Sequence, residues 1–124
     1  MTDINTQFRN VLIGATPVTS LVPASRIFVQ WPTSFQTLPV ISYRITNNFL
    51  AENDIMDDAQ FSEHAEVTVD VFCPPGSSPT SIVRAVDSAL FSDNWMRGYC
   101  EYLTEPETGI IHTVMRFEKV VLAN

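Results

Sequence analysis

A chain of 124 residues, 45% apolar and 17% charged, has the length of one domain and too much apolar content to stay disordered, a state that needs low hydrophobicity and high net charge. Its formal charge of -7, from 14 acidic against 7 basic residues, disfavours a reader of DNA or RNA, which draws most of its affinity from clustered Lys and Arg on phosphates. The apolar runs, such as 11–13 and 120–123, fall far short of the ~20 residues of a membrane-spanning helix, and residues 1–10 hold no apolar block of signal-peptide length, so the expectation is a soluble chain made in a cytoplasm.

Asp3 reads as an N-cap for a first helix over 4–13, with Ile4, Phe8, Val11 and Leu12 at helical spacing until Gly14 and Pro17 stop the pattern. Residues 15–24, with Pro17 and Pro23 among Thr and Ser, read as a loop wrapped against the domain and anchored by Leu21 and Val22. The β-branched and aromatic run 26–31, ended by Pro32, predicts a short strand near a sheet edge. Residues 38–46 predict a second strand, with Pro39 tolerable only near its start.

The clearest periodicity lies at 65–73. Ala65, Val67, Val69, Val71 and Cys73 are predicted to face a core, while Glu66, Thr68 and Asp70 face out. A sheet with one wet face is typically antiparallel. Pro74, Pro75 and Gly76 break the strand, and Ser78 as N-cap with Pro79 as first helical residue opens a second helix. Ile82, Val83, Val86, Ala89 and Leu90 form its apolar stripe, with Arg84, Asp87 and Ser88 off it. Two last strands, 96–104 and 110–121, flank a hairpin connection over 105–109. The sum is an α+β domain, with one mostly antiparallel sheet of about four to five strands and two helices packed on one face.

Motifs for chemistry are absent. His64 and His112 belong to no zinc-binding spacing. There is no G-x-S-x-G, and Gly14, Gly76, Gly98 and Gly109 stand alone, so no phosphate-cradling loop exists. Cys73 and Cys100 read as reduced, small apolar side chains. A regulatory ligand-binding module would draw its pocket from Trp31, Phe35, Tyr43 and Trp95, although such aromatics more often fill a core. A small hydrolase would have to use His64 or His112. Neither catalytic residues, nor a cofactor, nor a metal are expected.

The unusual segment is 47–63. It carries the acids Glu52, Asp54, Asp57, Asp58 and Glu63, and no Lys or Arg occurs between Arg44 and Arg84. Calcium would use such oxygens, but the EF-hand order and its obligatory Gly are missing. A solvated acidic loop is the plain reading. Against it stand Phe49, Leu50, Ile55, Met56 and Phe61, which are expensive to leave in water. An extended hairpin or arm that docks on a neighbouring subunit accommodates both the acids and the hydrophobes.

In order, the chain carries Arg26-Ile27-Phe28 followed by Pro32, Leu38-Pro39-Val40-Ile41-Ser42-Tyr43, Val67-Thr68-Val69-Asp70-Val71-Phe72, the helix 80–90, and His112-Thr113-Val114-Met115-Arg116-Phe117. This ordered set, covering roughly 26–117, resembles the tail completion proteins of long-tailed bacteriophages, also called tail terminator or tail-to-head joining proteins. The resemblance implies an α+β subunit of a ring, a hexamer in the family, that caps the finished tail tube and joins it to the head at the head-proximal end of the virion tail. The partners it implies are further copies of the chain, the tail tube protein and a head-completion or connector protein. DNA would pass through without specific binding, and no membrane is involved. It brings no catalytic or cofactor residues. The nearest rival within the same assembly is a head-completion or neck protein. For 47–63 the resemblance implies a loop that lines the ring lumen or reaches the next subunit.

Overall fold

A computed structural model describes residues 3–30, 37–52 and 61–123. Helix α1 spans Ile4–Gly14, a short helix α2 spans Thr16–Thr19, and a 3-10 turn over Ala24–Arg26 leads into strand β1, Ile27–Val29. Strands β2, Val40–Glu52, and β3, Phe61–Cys73, precede helix α3, Thr80–Ser92, and the chain closes with β4, Met96–Thr104, and β5, Ile111–Ala123. The five strands lie in the order β1-β2-β3-β5-β4. Every pairing is antiparallel except β1 with β2, which is parallel with Ile27 opposite Ile41 and Val29 opposite Tyr43.

The start of α1 follows from Asp3. Its carboxylate accepts from the backbone N–H of Thr6 at 3.2 Å and from the Thr6 hydroxyl at 2.7 Å, satisfying an N–H that the first turn would leave orphaned. The Thr6 hydroxyl, and then its N–H, hold the Asp3 carboxyl below its ordinary value of 3.8. Because the folded value is the lower one, the capping contribution is complete above that ordinary value and is lost as pH falls through the lowered one. Asp3→Ala should therefore lower the urea midpoint near neutral pH, and the gap to the parent chain should close as the pH falls below that lowered value.

Ile4, Phe8 and Leu12 point from α1 into the core, where the Phe8 ring meets Trp95 edge-on at 5.1 Å and Tyr43 at 5.3 Å. Residues 15–24 are more ordered than a loop. Pro17, at the start of α2, fits a first helical turn, whose N–H groups have no partner anyway. Val18 and Val22 are the buried anchors, whereas Leu21, expected to anchor, is exposed. The Arg9 guanidinium ties this passage to α1 by donating to the Ala24 and Ile27 carbonyls.

Helix α3 lays Ile82, Val83, Val86 and Leu90 against the same face of the sheet as α1. Ser78 Oγ accepts from Thr80 N–H at 3.4 Å, as an N-cap does, and the helix begins one residue later than expected. At its other end Asn94 takes a left-handed conformation (φ 67) and Trp95 N–H donates back to the Leu90 carbonyl, a helix stop that turns the Trp95 indole into the core. Lys119 secures this corner from β5, with its ammonium 3.0 Å from Asp93 and 5.7 Å from the centre of the Trp95 ring.

Ala65, Val67, Val69, Val71 and Cys73 face the core as their alternation predicts. The opposite face corrects the expectation that it is wet. Thr68 and Asp70 are buried, together with Ser42 and Phe72, and only Glu66 of the three polar positions is partly open. Phe72 stacks on the His112 ring at 4.3 Å, and the Ser42 hydroxyl donates to the Gln30 carbonyl. The centre of the sheet is thus closed on both sides.

Candidate interaction surfaces

On the second face a polar cluster holds β2, β3 and β5 together. Asp70 is 1% exposed, and its two carboxylate oxygens meet Arg44 Nη1 at 2.5 Å and His112 Nε2 at 2.7 Å. A carboxylate that far from water needs such partners. Both histidines therefore have structural surroundings: His112 belongs to this cluster, and His64 lies within β3 beside a depression of about 100 Å³. That depression, lined among others by Asn47, Glu66, Glu118 and Lys119, is small beside the ~300–1,000 Å³ of ligand pockets. Tyr43 and Trp95 are core residues around Phe8, while Trp31 and Phe35 lie outside the described residues. Among the described residues no three His, Cys, Asp or Glu gather as a metal site, and no helix is long and apolar enough to cross a membrane. Cys73 and Cys100 are free thiols, and burial pushes the Cys73 thiol up.

The segment 47–63 divides into two kinds of position. Residues 47–52 and 61–63 are strand, continuing the β2–β3 ladder through Phe49 opposite His64, Leu50 opposite Glu63 and Glu52 opposite Phe61. Asp54, Ile55, Met56, Asp57 and Asp58 lie outside the described residues. Strand β5 follows β3 outward as far as Ala123 opposite Phe61. Neither edge strand goes with them, because β1 pairs only as far as Tyr43 of β2, and β4 only as far as Glu118 of β5. From Glu66 to Phe61 the sheet is a three-stranded extension about 17 Å long at ~3.3 Å per residue. Glu63 is 3% exposed within it, and its Oε1 has no hydrogen-bond partner among the described residues.

The other edge is β4. Every residue in it is exposed except Cys100, which is half-buried. Met96 is 59% exposed and Tyr102 56%, and beside them Tyr99, Leu103 and, at the end of α3, Phe91 also stand in water. The pairing with β5 slips at Gly98, a bulge that places Arg97 and Cys100 on the helix side together. Arg116 lies 5.3 Å from the Tyr99 ring centre. The Tyr99 hydroxyl donates to Glu101, which raises its pKa. The Tyr102 hydroxyl is pushed up first by its hydrogen bond with Cys100 and then by burial, against the nearby Arg97 and Arg84 guanidinium groups. Arg97 and Arg84 thus act on Tyr102 from the helix side, whereas Arg116 lies on the other face beside Tyr99 and within 3.7 Å of Glu66. Sequence reading passed over this edge, although Tyr99, Tyr102 and Leu103 interleaved with Arg97 and Glu101 in a terminal hairpin were its visible signal.

No protein-family model and no curated protein matches the sequence. Among solved structures, the fold is similar to that of a chain in the "Virion of native gene transfer agent (GTA) particle", with a TM-score of 0.63 over 94% of this chain and 92% of that one, at 11% identity. The likeness establishes a shared fold along nearly the full length of both chains.

Proposed function

We propose that this chain is a structural virion component, a subunit of a ring that terminates a phage tail tube and joins it to the head, acting by assembly contacts without catalysis. The observation that carries the reading is the fold shared from end to end with a chain of a gene transfer agent virion. The ordered segments over 26–117 supply the narrower tail-completion role by their resemblance to that family. A subunit of this kind meets copies of itself, the tail tube protein and a connector protein. The net charge of -7, with 14 acidic against 7 basic residues, suits a passage for DNA, because an excess of carboxylates repels phosphates.

Deleting the gene from the genome that produces the particle tests this reading. Electron microscopy should then show heads and tails unjoined and tubes without their head-proximal cap, with joining restored when the chain is supplied from a plasmid. Complete particles made without the chain, or a tagged chain found inside heads, would overturn it.

A further inference from the structure

We infer that β4 takes a further strand along its open edge, and that this strand comes from a partner protein whose carboxylates alternate with apolar side chains. The inference goes beyond the ring reading and does not depend on it. The ladder of β4 with β5 is regular from Tyr99 opposite Arg116 to Thr104 opposite Ile111, after the bulge at Gly98. No described strand lies on the other side of β4. A strand edge offers a row of backbone donors and acceptors, which native proteins blunt with lysine, proline or a bulge. Here the bulge blunts only the start of the strand. Residues 99–104 hold no Lys or Pro, and Tyr99, Tyr102 and Leu103 stand in water. A strand added to such an edge gains affinity from main-chain hydrogen bonds and specificity from its alternate side chains.

Charge selects the occupant. Arg97, Cys100 and Tyr102 lie on the helix side, opposite Phe117, Met115 and Thr113, and the Arg97 and Arg84 guanidinium groups both act on the Tyr102 hydroxyl. The acids nearby are turned away or engaged. Glu101 lies on the other side and accepts from the Tyr99 hydroxyl, Glu105 accepts from Thr108 within the turn, and Asp87 of α3 is half-buried. The helix side of the edge is therefore cationic, while the other side presents Tyr99 and Leu103. A second copy of β4 does not suit it, because antiparallel pairing of two such edges gathers two Arg84 and two Arg97 on one side, and like charges brought together suppress a partner. A strand with Glu or Asp at every other position meets both arginines with its carboxylates and turns its apolar residues onto Tyr99 and Leu103.

The test titrates the isolated chain with a short synthetic peptide alternating Glu and Val, followed by NMR at the backbone amides. Shifts should centre on Tyr99 to Thr104 and on β5 beside them. Arg84 and Arg97 are exposed, so Arg84→Glu/Arg97→Glu should keep the parent's circular dichroism, while its affinity for this peptide falls about tenfold or more. The same variant should instead take a peptide alternating Lys and Val, which the parent refuses. Methylating the peptide's backbone nitrogens removes its donors and should abolish binding. The inference is overturned if the Glu peptide leaves the amides of 99–104 unmoved up to ~1 mM, if the methylated peptide binds as well, or if duplex DNA displaces the peptide there. A dimer of the chain in native mass spectrometry, with those same amides protected, would overturn it also. Each of these outcomes leaves the ring reading standing, since that is decided on whole particles.

Discussion

Phe8→Ala is expected to lower the unfolding free energy by about 3–5 kcal/mol, the range for truncating a fully buried phenylalanine. The site explains why the upper part of the range applies. Phe8 is completely buried, and its ring is shared by three elements: α1, which carries it; β2, through Tyr43; and the turn after α3, through Trp95. The T-shaped contact with Trp95 adds to the area lost. Neither neighbour can collapse into the gap easily, since Tyr43 is fixed in the β2–β3 ladder and Trp95 follows the Asn94 helix stop. For a domain whose whole stability lies within ~5–15 kcal/mol, the loss should be visible as a melting temperature lower by roughly 10–20 °C. Phe8→Leu should cost clearly less. Guanidinium unfolding of the three chains decides it, and equal midpoints would mean that α1 is not docked where the core places it.

Asp70→Ala carries the second large effect, about 3 kcal/mol, at the low end of the cost of breaking a buried ion pair. Removing this carboxylate takes one acceptor oxygen from Arg44 and one from His112. Arg44 has 34% of its side chain exposed and recovers hydration in part, whereas the His112 side chain, at 13%, recovers little. The low end follows from that partial rehydration. Because the carboxylate itself is almost fully enclosed, the penalty should change little with added salt, unlike that of an exposed pair. Asp70→Asn retains the shape and one acceptor and should fall between the parent and the alanine variant. An alanine variant as stable as the parent would show that Asp70 is solvated and the second face open.

These two sites also mark what could be read before folding. Phe8, the α3 stripe and the odd-numbered positions of β3 announce themselves by period, because each element buries one face and the period is local. Asp70 does not. An alternating strand looks the same whether its polar face meets water or a second layer, and the distinguishing sign was Phe72, an aromatic on the face assigned to solvent. The parallel pairing of β1 was hidden for a similar reason: strand direction depends on how the chain returns between Val29 and Val40, and no local pattern encodes it. In 47–63 the hydrophobes hinted at more than a loop, and 47–52 and 61–63 are strand. The Asn-rich start of that segment and its acids, poor strand formers, masked a ladder held by tertiary pairing. The β4 edge escaped notice because its residues resemble those of a buried strand, and only the sheet order shows that nothing described lies beyond it.

The molecule joins a core closed on both sides of the sheet to an edge strand left open. Tyr43 and Trp95 serve the core and His112 the Asp70 cluster, and among the described residues the β4 edge stays exposed. Such a division suits a subunit whose work is done by its neighbours' contacts.

The most direct measurement is a cryo-electron microscopy map of the junction between head and tail in the particle that carries this chain. A closed ring of copies at the head-proximal end of the tube, enclosing the DNA path, is the result expected. The chain found as isolated copies, or at any other place in the particle, would contradict the account.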